Sequence, residues 1–138
     1  MSEEAVEKAK KLVGEVAVGH LATTDGGQPR VRPIAMQWVG ESELWFATHT
    51  GSRKVAQLEA NPAVEVVFSD PQWNHVRLCG DATTGQDDAD REKLLGLIPE
   101  LAQHFSGPTD PNYTLVKIAL ECVEYMQMGI TEYETHEF

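Results

Sequence analysis

Four basic side chains in this chain come as two tight pairs, Arg30/Arg32 and Arg53/Lys54. Arg53 and Lys54 end the run Thr48-His49-Thr50-Gly51-Ser52-Arg53-Lys54, which lies between an apolar stretch, Leu44-Trp45-Phe46-Ala47, and a helical pattern, Lys54-Val55-Ala56-Gln57-Leu58-Glu59, that stops before Asn61-Pro62. A glycine turn, a serine hydroxyl and two cations therefore meet where a helix begins. Unpaired backbone N–H groups and the positive end of the helix dipole face outward at such a place, and phosphate is the anion they suit best. Gly51 omits the Cβ that would block close approach. Against this reading stand plain helix capping for Ser52 and a surface role for the charge pairs.

The balance of charge favours a built site. The chain has 11 Lys+Arg against 22 Asp+Glu, a formal charge of -11. Such a molecule repels phosphates at long range, so a phosphate site has to be assembled locally. The same acidity argues against nucleic acid and anionic membrane as partners. Between Leu12 and Gly85 the cations are those two pairs and Arg77.

Other chemistries find less support. No Gly-x-x-x-x-Gly-Lys-Ser/Thr loop and no Gly-x-Gly-x-x-Gly turn is present. The five histidines show no metal-ligand spacing. His20 and His104 read as structural, while His49 and His75 flank the anion corner and are candidates for ligand contact. Gly-x-Ser-x-Gly is missing, no cysteine neighbours a histidine, and no general acid or base can be named. Trp38, Trp45 and Trp73 read as core or interface. Cys79 and Cys122 form no Cys-x-x-Cys motif, lie in apolar strands, and are expected as buried thiols in a reducing cytoplasm.

At 138 residues, the chain is expected to form one domain, with a core of about 4–128 and an acidic, loosely held tail over 129–138. No apolar run approaches the roughly 20 residues that span a bilayer, and the acidic N-terminus lacks a signal-peptide core. Ser2 can cap a first helix with an apolar stripe of Ala5, Val6, Ala9, Leu12 and Val13. Strands are expected at Val16–Thr24, Pro29–Val39 and Glu43–Thr48, the first two joined by Asp25-Gly26-Gly27, forming a three-stranded meander. The Ser52–Ala60 helix is followed by strands at Ala63–Ser69 and about His75–Thr84. Asp87-Asp88-Ala89-Asp90 opens another helix, carrying Leu94, Leu95, Leu97 and Ile98, which Pro99 interrupts. A loop, Ser106–Asn112, leads to a long strand, Tyr113 to about Met128. The expected fold is mainly β with flanking helices, a six-stranded antiparallel barrel.

The units Arg32-Pro33-Ile34-x-Met36, Leu44-Trp45-Phe46-Ala47-Thr48, Ser52-Arg53-Lys54 and Asn61-Pro62-Ala63-Val64 resemble the pyridoxamine 5'-phosphate oxidase-related, FMN-binding split-barrel superfamily, and most of all its short general stress protein branch. The resemblance runs from about Glu4 to Met128. It implies a six-stranded split barrel, a homodimer with FMN at the subunit interface, and oxidoreductase chemistry on a small molecule. It assigns Ser52, Arg53, Lys54 and Arg32 to the FMN phosphate, with Arg32 also able to reach the ribityl chain. It lines the isoalloxazine with Pro33 and Ile34 backbone groups and with Ala47 and Thr48. His75 falls where the family often has a glutamine facing the flavin of the other subunit. Gln37 stands where the oxidase proper has a substrate-phosphate lysine, and that enzyme's C-terminal tryptophan–arginine segment has no counterpart here, so vitamin B6 oxidation is not expected. The alternatives are a non-catalytic flavin-binding or stress-related protein, the same barrel with a deazaflavin or haem, and a ligand-free interaction domain.

Overall fold

A computed structural model of the chain describes residues 2–85 and 87–138. Helix α1 (Ser2–Val16) buries Ala5, Val6, Ala9, Leu12 and Val13, the stripe its periodicity announces. The helix begins at Ser2 itself, whose capping lies outside the described side chains. Ala17 ends it in the left-handed region (φ 66°), donating its N–H to the Val13 carbonyl at 2.8 Å.

Eight strands follow, two more than expected: β1 (Val18–Asp25), β2 (Gln28–Ala35), β3 (Gln37–Val39), β4 (Glu43–His49), β5 (Ala63–Ser69), β6 (His75–Gly85), β7 (Tyr113–Met126) and β8 (Glu134–Glu137). Helix α2 (Arg53–Ala60) joins β4 to β5, and α3 (Asp88–Leu97) with a 3-10 turn (Pro99–Gln103) lies between β6 and β7. Asp87 caps α3 by accepting the Asp90 N–H, and Pro99 breaks the helical path as expected. Gly26 and Gly27 both take positive φ, 55° and 89°, which the tight β1–β2 turn requires.

The strand order is β2-β1-β5-β6-β7-β4-β3, all antiparallel, with β8 on the second half of β7. This overturns the three-stranded meander. The expected second strand breaks at Met36: its first part pairs with β1 and its last part with β4. The two ends of the sheet path are thus one chain segment, 28–39, and this closes the barrel. Met36 is buried, and its N–H goes to the Ala17 carbonyl at 2.9 Å instead of to a strand.

Closure has a geometric consequence. Continued past Gln37↔Trp45, the β3–β4 register would set Met36 against Phe46, Ala35 against Ala47 and Ile34 against Thr48. Instead Ile34 lies opposite Gly19 on β1. A slot opens between β2 and the second half of β4, and the barrel is split there.

The main core gathers Leu21, Phe46, Phe68, Leu78 and Ile118 under α1, each fully buried and each contributing about 1.5–3 kcal/mol. A second cluster places Leu94 and Ile98 of the α3 region on Trp45, Tyr113 and Leu115. Leu97 is left 43% exposed. At Gly80, where the β6–β7 register shifts, a Cβ would lie 2.2 Å from the Ala119 carbonyl oxygen, so only glycine fits.

Two further expectations need correction. Cys79 and Cys122 are half-buried cross-strand neighbours on β6 and β7 and form a disulfide, their Cα atoms 5.2 Å apart. The register brings together thiols 43 residues apart. The acidic tail is also held in place: β8 completes the β7 edge, and the Lys8 ammonium meets the Glu134 carboxylate at 2.6 Å.

Candidate functional site

Arg32 anchors the site. On β2 it lies opposite Leu21 of β1, and its side chain turns inward beside Thr23 and α2. Nη1 donates to the Thr23 hydroxyl at 2.8 Å and to the Leu21 carbonyl at 3.2 Å, and Nη2 donates to Gln57 Oε1 at 2.9 Å. The Thr23 hydroxyl in turn donates to Gln57 Oε1 at 2.6 Å. Thr23 and Gln57 are both buried. None of these acceptors carries a charge.

Arg53 and Lys54 open α2 beside it. The first turn of α2 contains no acidic residue, so two cations sit at the positive end of the helix dipole. Among the described residues, Arg32, Arg53 and Lys54 form no ion pair, while Arg30 meets Asp25 only at 3.8 Å on the surface. The four cations and Gln57 line a cavity of about 390 Å³. Desolvation, then the charge of Arg32, holds the Lys54 ammonium below its ordinary range. Desolvation, then Arg30, does the same to Arg32. Among the described residues Arg32 and Lys54 thus have no carboxylate partner, while exposed Arg53 shares a neighbouring cavity with Asp25.

Ser52 occupies the N-cap position with extended backbone, yet its side chain makes no capping bond. Its hydroxyl lies 3.4 Å from that of Thr48, so plain capping does not account for it. A Cβ at Gly51 would meet no protein atom within 4 Å, so open space lies in front of the turn. The loop is braced from behind: Thr50 donates its N–H to the Asn112 carbonyl at 2.9 Å, and its hydroxyl contacts the Thr114 hydroxyl at 2.8 Å.

Other expected site residues border the slot. Pro33 is exposed on β2, whose outer edge has no strand partner; Ile34 turns its side chain to the core, leaving backbone groups to the slot. Ala47 and Thr48 pair with Leu115 and Thr114 of β7, and their other edge faces the slot. His75 lies elsewhere. It opens β6 opposite Ser69 and Met126, and its Nε2 is 3.0 Å from the Tyr133 hydroxyl, at the end of β6 away from the Asp81–Gly85 half. A single chain does not bring it to the cationic corner. His49 packs its ring on Phe105 at 5.1 Å, toward the α3 cluster, and His20 is exposed on β1.

Sequence reasoning missed Thr23 and Gln57. Gln57 lies beside Val55 and Leu58 on the buried face of α2, and a polar residue in an apolar stripe was the available signal. Another cavity, about 280 Å³, lies between α1 and the β5–β6 turn. Its lining mixes Lys8 and Lys11 with Glu15 and Asp70, and Lys8 is already paired with Glu134, so it presents no net anion trap.

A split antiparallel barrel with an uncompensated cationic corner at the start of its second helix is the class these features define. The chain belongs to the pyridoxamine 5'-phosphate oxidase-like family, whose profile matches residues 4–132. It is 34% identical over 58 residues to the pyridoxine/pyridoxamine 5'-phosphate oxidase of Escherichia fergusonii, a match spanning 42% of this chain and 27% of that protein. Among solved structures, a NimC/NimA family protein from Clostridium acetobutylicum is similar over 98% of this chain and 93% of its own, with TM-score 0.85 and 23% identity. General Stress Protein 26 from Bacillus anthracis is similar over 96% and 97%, with TM-score 0.83 and 23% identity. Among the described residues no helix is long and apolar enough to cross a membrane.

Proposed function

We propose that the chain binds FMN, with the phosphate gripped by Ser52, Arg53, Lys54 and Arg32 and the ring system in the slot between β2 and β4. One observation carries this reading: in a chain of formal charge -11, Arg32, Arg53 and Lys54 converge without a carboxylate. Leaving cations desolvated and unpaired costs stability, and a dianionic ligand recovers that cost on binding.

FMN, when bound, supplies hydride or single-electron transfer. This chain's own residues bind and orient. Arg32 and Lys54 neutralise the phosphate, the Ser52 hydroxyl offers a further donor, and the strand edges at Pro33–Ile34 and Ala47–Thr48 border the ring. On this reading the chain is an oxidoreductase acting on a small molecule and works as a homodimer, with His75 of each subunit turned to the flavin site of the other. Gln37, where the B6 oxidase has lysine, argues against a phosphorylated B6 substrate.

The test is a fluorescence titration with FMN and riboflavin, which lacks the phosphate. FMN is expected to bind at least tenfold more tightly. In Lys54→Ala a charge-assisted contact worth about 1.5–3 kcal/mol is lost, so FMN affinity falls about tenfold to a hundredfold while riboflavin affinity holds. Equal affinity for the two flavins in the parent protein overturns the reading.

A further inference from the structure

We propose that Gln57, with Thr23, is a positioning residue that holds Arg32 without neutralising it, and so sets the preference of the corner for a phosphorylated over an unphosphorylated flavin. The proposal rests on the FMN reading above and names the device within it.

Gln57 is 7% exposed and Thr23 3%. A buried amide must place its polar atoms with care. Here Oε1 receives both the Thr23 hydroxyl and Arg32 Nη2, at 2.6 and 2.9 Å. Thr23 Oγ1 accepts from Nη1 at 2.8 Å while giving its own proton to Gln57. Together with the Leu21 carbonyl, these bonds use both Nη1 hydrogens and one Nη2 hydrogen. The Nε hydrogen and the second Nη2 hydrogen remain. They form one side of the guanidinium fork, the side that meets two oxygens of a phosphate at once. Thr23 and Gln57 therefore fix which edge of Arg32 is offered.

The charge of the clamp matters as much as its geometry. Elsewhere this chain holds arginine with carboxylates: Arg77 by Glu124 at 3.2 Å, and Arg91 by Asp88. A glutamate at 57 is isosteric with glutamine and would accept the same two bonds. It would also cancel the positive charge on which phosphate depends. An uncharged clamp keeps Arg32 both ordered and fully cationic.

The experiment compares Gln57→Glu, Thr23→Val and Thr23→Ser with the parent protein in fluorescence titrations against FMN and riboflavin, with thermal unfolding as the fold check. Gln57→Glu is expected to unfold at or above the parent temperature, to bind riboflavin within twofold of the parent, and to lose at least tenfold in FMN affinity. Thr23→Val is expected to lose severalfold for FMN alone, and Thr23→Ser, which keeps the hydroxyl, to recover it. A parent that prefers FMN, together with a Gln57→Glu protein that keeps that preference, overturns this proposal and leaves the FMN reading standing. Thr23→Ser behaving like Thr23→Val also overturns it. A parent indifferent to the phosphate overturns both.

Discussion

Two short helices bring cations to this barrel and treat them in opposite ways. Helix α3 opens on Asp87, Asp88 and Asp90. Arg91 is buried beneath it, bonded to Asp88 and, at 3.0 Å, to the Tyr113 carbonyl, while Lys117 pairs with Asp90. Acids sit at the positive end of the dipole, and Arg91 and Lys117 each meet one of them. Helix α2 opens on Arg53 and Lys54 with no acid in its first turn, and Arg32 beside it is held by neutral groups only. The α3 corner uses charge to hold itself together. The α2 corner keeps charge in reserve for something outside the chain.

The largest contrast should come from Arg91→Met. Removing a buried guanidinium strands the Tyr113 carbonyl and the Asp88 partner, and unfolding in denaturant is expected to show a loss of about 2–3 kcal/mol with FMN affinity unchanged. A parent-like stability would erase the distinction between the corners. The reciprocal change, Arg53→Glu, places an acid in the first turn of α2. It should stabilise the ligand-free protein by about 0.3–1 kcal/mol, seen as a higher melting temperature, while weakening FMN binding in titration.

The smallest effect is a pair of opposed pH slopes. Lys54 is held below 10.5 by desolvation and Arg32. Between its folded value and 10.5 the unfolded chain carries a proton that the folded chain has released, so stability rises with pH through that window. Tyr113 is pushed up from 10.0 to about 12 by burial, against the charge of Arg91. Its contribution is fully present below pH 10.0 and is lost as pH rises through about 12. Melting curves across alkaline pH should lose the rise in Lys54→Met and the fall in Tyr113→Phe. The same slope in Lys54→Met as in the parent would count against the desolvated lysine.

The α2 corner was legible because its parts are adjacent in the chain: Ser52, Arg53 and Lys54 follow one another at a helix start, while the inward turn of Arg32 beside them shows only in the folded chain. Thr23 and Gln57 were not, because β1 meets α2 only in three dimensions. Most elements, and the hairpin pairings β1–β2 and β3–β4, could be read from periodicity and turn residues, yet the order of the strands across the sheet could not. Nothing in Ile34-Ala35-Met36 marks a break: both halves of the segment pair with their chain neighbours, and β1 and β4 are drawn apart by their own pairing with β5 and β7 further along the chain. The same holds for the disulfide: the apolar alternation around Cys79 and Cys122 shows that each lies in a strand, and only the β6–β7 register shows that they face each other. The acidic tail looked unattached because composition speaks to charge, while the free second half of the β7 edge, which receives β8, is a property of the assembled sheet.

The segment 28–39 works as a hasp: one length of chain fastens both rims of the sheet, and Arg32 rides on it. A guest held at once by Arg32 and Lys54 bolts that hasp to α2. Occupation of the corner and fastening of the rims then favour each other, so a loaded protein is expected to open this seam less often than an empty one.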